Sequence, residues 1–510
     1  KFPLIDALQM ADIDLVATGA IAKAFVPKAV NGWDLAAKRL AIKVTPQQLD
    51  VGGVGTLLDQ PVSFDGVIAF GPGDERARFT GDWRLTRAVR QALGIGGRAI
   101  SRRLTGATPA TFDIVVRPRE RYEIAVVADL TDATLLAQEI GWIKPKGRPA
   151  SVKSKIILEN GAPVRIDGIA LRAADLEMDA DIQFADGEIR RVGVRRLLGA
   201  GHDLRAEILL GDSEESVRIS GKRMDLRPLF KLDAPPKDAV AGRNGLPAPA
   251  MRRVLTISTD AARLTKHLEL ANLKASATVM DDWPVALAGA AQYPGGALAV
   301  GTNPADDNQI VLTASDFGKL LAAANVTAGV ADGPMRLTID RARDDSLSLD
   351  LRVRDFTVSK TALSRFAGGK SGGLVDSLSR TDHIAFDRIG AIGRYAGGQL
   401  TLSDGRLSGD ALGVSARGII DFRQEFLDIS GAITPAYGFS RILAAIPVLG
   451  ALLTGAKREG LFAANYKAFG ALDDPEFEVN ALSALAPGIL RDAFSGPRAP
   501  AAPSQTNNDP

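Results

Sequence analysis

"DLEMDADIQF", residues 175–184, sets the fold class. Leu176, Met178, Ala180, Ile182 and Phe184 fall on alternate positions, with Glu177, Asp179, Asp181 and Gln183 between them. Successive side chains of a strand project to opposite faces, so this spacing gives one apolar and one solvated face. "LSLDLRVR" (347–354) repeats the pattern, with Leu347, Leu349, Leu351 and Val353 set against Ser348, Asp350, Arg352 and Arg354. "RYEIAVVADL" (121–130), "HDLRAEILL" (202–210), "SVRISGKRM" (216–224), "MRLTID" (335–340) and "EFLDISGAI" (425–433) follow it too. Turn signals such as Glu159-Asn160-Gly161, Ala185-Asp186-Gly187 and Ser403-Asp404-Gly405 divide such segments at short spacing, which predicts hairpin-linked antiparallel strands.

Helical patterns are few and short. Three open on Asp directly after a strand: "DLTDATLLAQEIGW" (129–142), "DLRPLF" (225–230) and "SDFGKLLAAAN" (315–325). Asp is a good N-cap, because its carboxylate accepts from the free amides of the first turn. The fold is therefore read as mainly β with a few short helices. Aromatic residues are only 5% of the chain and glycines number 52. Two arrangements of such strands stay open: a sandwich, or a sheet whose apolar face of Ala, Val, Ile and Leu curls around something other than protein.

The 510 residues are 46% apolar and 24% charged, which excludes both a disordered polymer and a multi-span membrane protein. Lys and Arg total 62 against 60 acidic residues, with no long basic run, so no nucleic-acid partner is expected. The absence of cysteine rules out disulfides, thiolate metal sites and a Cys nucleophile. His202, His267 and His383 sit in unrelated contexts and read as incidental surface or turn residues, so neither metal nor cofactor is expected. "GIGGR" (94–98) lacks the spacing of a dinucleotide or phosphate loop, and "GVSARG" (413–418) that of a nucleophile elbow. The Asp pairs at 281–282, 306–307 and 344–345 carry no calcium-loop pattern and read as solvated turns. No catalytic constellation stands out, and no enzyme is expected.

"KLDAPPKDAVAGRNGLPAPA" (231–250) is the one linker candidate, separating 1–230 from 251–495; it is equally readable as a long loop on a continuous sheet. Residues 496–510 read as a disordered tail. The chain opens on "KFPLIDALQM", which already reads as folded sequence, with neither a signal peptide nor an apolar run of membrane-spanning length. It is accordingly read as part of a longer protein. Near its end, "RILAAIPVLGALLTGAKREGLF" (441–462) is the most apolar stretch. Ile442, Leu443, Ile446, Leu449, Leu452 and Leu453 fall at helical spacings, interrupted at Pro447 and Gly450. Two readings stand for this segment, centred on 441–455: a plug packed on the last strands, or a membrane-interface segment or groove cap flanked by basic residues.

The stretch 412–494 resembles the C-terminal region of the large AsmA-like proteins of Gram-negative bacteria, the YhdP-type members in particular. The likeness rests on Gly418-x-Ile-Asp421, Ile433-x-Pro435-Ala436-Tyr437, Ile446-Pro447-x-Leu449-Gly450, Glu459-Gly460-Leu461-Phe462, Asp474-Pro475 and Leu482-x-x-Leu485-Ala486-Pro487-Gly488. "GAIAKAFVPKAVNGWDLAAKRLAIKV" (19–44) and "DLTDATLLAQEIGWIKPKG" (129–147) extend it over most of the chain. The resemblance implies a long, twisted antiparallel sheet forming an apolar groove of the β-taco type, related to bridge-like lipid-transfer proteins. It implies a periplasmic protein, held to the inner membrane by an N-terminal helix absent from this sequence. The implied role is to carry phospholipid between inner and outer membranes, without catalysis. A second implied role is a scaffold for outer-membrane biogenesis with envelope protein partners, as proposed for the related TamB-type proteins. On these readings the groove-lining candidates are Leu176, Met178, Ile182, Phe184, Leu347, Leu349, Leu351 and Val353. The membrane-interface or groove-cap candidates are the six apolar residues named in 442–453.

Overall fold

The computed structural model describes residues 16–30, 33–92, 103–230, 251–280, 283–342, 344, 346–362, 382–410, 412–435, 464–472 and 475–480. The alternating segments are strands. Twenty-seven of them belong to one open, mostly antiparallel sheet, and a separate sheet has three strands. The chain divides into two compact units, residues 1–265 with 270–284, and 266–269 with 285–510.

In the first unit the strands are sheet neighbours in chain order. Ala17–Val30, Trp33–Val44, Gln48–Leu57, Gln60–Ala69, Ala77–Leu85, Thr108–Arg117 and Arg121–Asp129 each pair antiparallel with the next. The series continues through Ala150–Glu159, Ala162–Ala173, Leu176–Ala185, Glu188–Gly199, His202–Leu210 and Glu214–Asp225. Arg252–Arg263 then joins parallel to Glu214–Asp225. The 231–250 stretch lies outside the described residues, and the strands on either side of it are hydrogen-bonded neighbours within this unit.

Two expected hairpin turns are formed. Asn160 and Gly161 have φ of 51° and 78°, and Asp186 and Gly187 have 53° and 76°. Paired positive φ values belong to the type I′ turn, whose twist matches that of the flanking strands. The expected turn at Ser403-Asp404-Gly405 is instead a bulge inside Gln399–Ser408, where the register slips between Leu402 and Gly405. The reversal falls at Gly397 and Gly398, whose φ values of 57° and 85° suit glycine.

The helix expected over 129–142 is also corrected. Asp129 does cap a turn, accepting from the Thr131 amide at 2.8 Å and hydroxyl at 2.6 Å. The chain then enters strand Thr134–Ala137, a 3₁₀ turn Gln138–Ile140 and strand Trp142–Lys144; Thr134–Ala137 pairs on one side with Leu104–Thr105 and on the other with Trp142–Lys144. Sheet partners on both sides of Leu135 outweigh its helical propensity, and Gly141, at φ 64°, reverses the direction. The other two Asp-led segments are helical. Asp225 accepts from Arg227 N ahead of 3₁₀ turn Arg227–Phe230, and Asp316 accepts from Lys319 N at the start of α-helix Phe317–Ala323.

The second unit runs Trp283–Tyr293, Gly296–Asn303, Asp306–Ala314, Met335–Arg341, Leu347–Ser359 and His383–Ala396, again antiparallel in order. Gln399–Ser408, Leu412–Asp421, Phe426–Pro435, Ala464–Ala471 and Pro475–Asn480 complete it. Within each unit the long connections all depart from the same strand ends. In the first they are 86–107, 130–149 and 226–251; in the second, 315–334, 360–382 and 436–463. We call these the cap ends, and the opposite, tightly closed ones the turn ends.

Candidate functional site

Strand register places the alternating apolar residues in rows that cross the sheet. In the first unit one row reads Gly19, Ile42, Val51, Gly66, Phe79, Ile114, Ile124, Ile156, Ile166, Ile182, Val192, Ile208, Val217 and Leu255, each paired with the next. It crosses fourteen strands without a charged or polar side chain. Gly66 lies beneath Phe79, whose ring would be 2.5 Å from an added Cβ, so the glycine is needed for the aromatic to lie flat. From Ile42 onward every side chain of the row is half-buried. A sheet buried on this face by a second layer would show these positions fully covered.

Full burial is concentrated toward the cap ends, although Leu40, Ala77, Ile157 and Ala180 are buried away from them. Ala110, Ala128, Ala150, Leu171, Leu176, Leu197, Leu204 and Met224 lie in the strands' cap-end portions and cluster with Leu130 and Ala133 from the turn that leads into the small sheet and with Trp142 within it. This cap is held by polar contacts that are themselves buried. Lys144, 2% exposed, donates from Nζ to the carbonyls of Leu130 at 2.5 Å, Ala133 at 2.6 Å, Thr131 at 2.9 Å and Pro145 at 3.2 Å. Burial pushes its pKa down. Trp142 Nε1 donates to Asp175 Oδ1 at 2.9 Å. His202 is 4% exposed, which corrects the expectation of an incidental surface residue. Its Nε2 lies 3.2 Å from the Ile140 carbonyl, and its Nδ1 accepts from the Asp225 amide at 3.4 Å. That pairing requires the neutral ring with the proton on Nε2. Burial lowers the His202 pKa, against the raising effects of the Ile140 carbonyl and Asp225.

The second unit has the same plan. Gly289, Val300, Leu312, Leu337, Leu351, Ala391, Gly405, Ala416, Gly431 and Tyr466 form an uncharged row across ten strands. Its cap end is closed by helix Phe317–Ala323, strand Val330–Asp332 and the stacked rings of Phe356 and Phe386, 5.4 Å apart. There the Tyr293 hydroxyl donates to the Asp316 carbonyl at 2.7 Å and accepts from the Asp316 amide at 3.0 Å.

The opposite face carries the charges as cross-strand pairs. Arg78 meets Asp113 at 2.6 Å, Arg172 meets Asp179 at 2.5 Å, and Arg191 meets Glu207 at 2.9 Å; Arg195 also contacts Asp181. Glu123 is held by Arg117 at 2.6 Å and Lys155 at 2.8 Å, and hydrogen bonds from these two bring its pKa to about 2. Exposed pairs of this kind add little stability each, but they keep one face wet.

The candidates of each unit share its apolar face. Leu176 and Val353 belong to the buried cap ends, at 3% and 0% exposure, whereas Met178, Ile182, Phe184, Leu347, Leu349 and Leu351 lie on the half-buried stretch. Ile442, Leu443, Ile446, Leu449, Leu452 and Leu453 lie outside the described residues. Sequence reading missed the cap residues Lys144, His202 and Asp225, since nothing local distinguishes a buried Lys or His from a solvated one; Trp142, between Gly141 and the Pro145 turn, was the available signal. Among the described residues no group of three or more His, Asp or Glu is placed to hold a metal. No protein family, curated protein or solved structure matches the chain.

Proposed function

We propose that this chain is a non-enzymatic lipid conduit whose apolar rows hold phospholipid acyl chains along a periplasmic path between inner and outer membranes. The observation that carries the reading is the uncharged row across fourteen strands of the first unit, whose side chains are half-buried from Ile42 onward. Neighbouring strands are about 4.8 Å apart, so its nine-strand aliphatic portion, Ile114 to Leu255, extends about 38 Å, room for several acyl chains side by side. Each methylene removed from water contributes about 0.8 kcal/mol, so a lipid gains only where such a surface is unbroken. The polar face, with its paired charges, suits a protein surrounded by water. The resemblance to AsmA-like proteins supplies the periplasm, the two membranes and an N-terminal anchor.

A scaffold role in envelope assembly is the second reading. It is favoured by strand Ala17–Val30, which has one described neighbour and exposes Phe25 at 63%. A partner strand would pair with such an edge. Native mass spectrometry with lipid extraction, on protein purified from a bacterial host, separates the two. Several copurifying phospholipids per chain are expected of the conduit. A lipid-free protein that also fails to take up fluorescent phospholipid refutes the conduit and leaves the scaffold.

A further inference from the structure

The two ends of each strand offer a bound molecule different surroundings, and this fixes an orientation. On Leu176–Ala185, Leu176 is buried under the cap, while Met178, Ile182 and Phe184 are half-buried. Phe184 pairs with Ile189, which is 39% exposed beside the Asp186-Gly187 turn. From Met178 to Phe184 the apolar strip on this face runs six residues, about 20 Å at roughly 3.3 Å per residue, with Met178, Ile182 and Phe184 half-buried and only the small Ala180 among them buried. One leaflet of a bilayer's hydrocarbon core is about 15 Å thick, half of about 30 Å, so the strip accommodates one acyl chain laid along a strand.

The polar groups differ in the same sense. At the cap end, Lys144, Trp142 and His202 are committed to protein acceptors and donors. At the turn end the chain reverses through charged residues open to water. Arg119 stands exposed at the tip between Thr108–Arg117 and Arg121–Asp129, and no ion pair holds it. A phosphate can stay hydrated there and meet a guanidinium at the open end of the apolar strip; the cap-end guanidiniums of Arg103 and Arg148 are instead paired with Glu139 and Asp175, although Arg87 is exposed there too.

We propose that lipids bind the first unit with acyl chains parallel to the strands, methyl ends toward the cap and headgroups along the turn ends. This rests on the lipid-conduit reading and adds a direction to it. The chain has no cysteine, so single substitutions carry unique labels. Met178→Cys, Ile182→Cys and Ile189→Cys, each with a small fluorophore in the full chain, would be loaded with phosphatidylethanolamine vesicles doped with one of two quencher lipids. One bears bromines at the acyl terminus, the other a spin label on the headgroup. The expected loss of fluorescence from the acyl-terminal quencher is greatest at position 178 and least at 189, and the headgroup quencher gives the reverse order. The opposite gradients, or equal quenching at all three positions, overturn the orientation while keeping lipid binding. Absence of quenching by either lipid at every position overturns the conduit reading itself. Circular dichroism of each labelled variant, unchanged from the parent, is required for scoring, and Leu210→Cys substitutes for a variant that fails it at the turn end.

Discussion

Leu176→Ala and Ile182→Ala test the half-covered face on a single strand. The two side chains share a face and lie six residues apart, one beneath the cap and one on the open row. Truncation to alanine removes three carbons in either case, about 2.4 kcal/mol of transfer free energy at about 0.8 per carbon. At Leu176 the cap cannot collapse onto the gap, and a cavity term brings the loss to about 3–4 kcal/mol, inside the 2–5 range usual for such sites. At Ile182 part of that surface is already wet and no closed cavity forms, so about 1 kcal/mol is expected. A difference of about 2 kcal/mol is roughly a thirtyfold change in local opening equilibrium. Hydrogen exchange measured on peptides covering 176–185 reads each loss without requiring both units to unfold together. Added phospholipid is expected to slow exchange near Ile182 in the parent and to leave the protection near Leu176 unchanged. Equal losses at the two positions would show the face uniformly covered, and the argument for an open row would fail.

Ile166→Glu places a charge in the middle of the row, and is expected to abolish phospholipid transfer between vesicles with the far-UV spectrum retained; normal transfer would disconnect the row from function. Lys144→Met removes the donor to the buried Ala133 carbonyl, while the Leu130 and Thr131 carbonyls keep the Ala133 and Gly147 amides, and is expected to cost about 1–3 kcal/mol, read as faster exchange at 130–145 with the distant strands unaffected. His202 has a folded pKa below its ordinary 6.5, so the folded state binds fewer protons than the unfolded one below that pH. Cap stability should therefore fall as pH drops below about 6.5, and His202→Gln should flatten that dependence in exchange measured from pH 7.5 to 5. Glu123, brought from 4.5 to about 2, contributes stability that is fully present above 4.5 and lost on acidification toward 2; in Glu123→Gln, acid titration followed by circular dichroism should lack that component.

The strands were legible because alternation is local. Residues 175–184 and 347–354 declare both faces within ten residues, and Asn160-Gly161 and Asp186-Gly187 declare their turns. The rows were not legible. Ile166, Ile182 and Val192 come to lie side by side only after bulges near Gly168, in the first pairing, and near Phe184, in the second, set the register, and a slip of one residue would send each to the other face. Asp404-Gly405 misled for a related reason, because a bulge and a turn draw on the same residue types. The cap was the least legible part. Thr134–Ala137 is four residues long, and it becomes a strand through Leu104–Thr105, some thirty positions earlier, and through Trp142–Lys144. His202 looked incidental since its partners, Ile140 and Asp225, are 62 and 23 residues away.

In the first unit, the parallel step between Glu214–Asp225 and Arg252–Arg263 has a consequence for how the protein is made. Nearly every other strand there docks on the one just before it, through a local hairpin or a short excursion, so the sheet can grow strand by strand as the chain leaves the ribosome. Pairing of Glu214 with Arg252 cannot begin until 38 residues have passed, and it must proceed without a hairpin to set its register. Until then the edge of Glu214–Asp225 stands open with its ladder groups unpaired. That interval is the point in synthesis when a wrong strand, from the same chain or another, competes best for the growing edge.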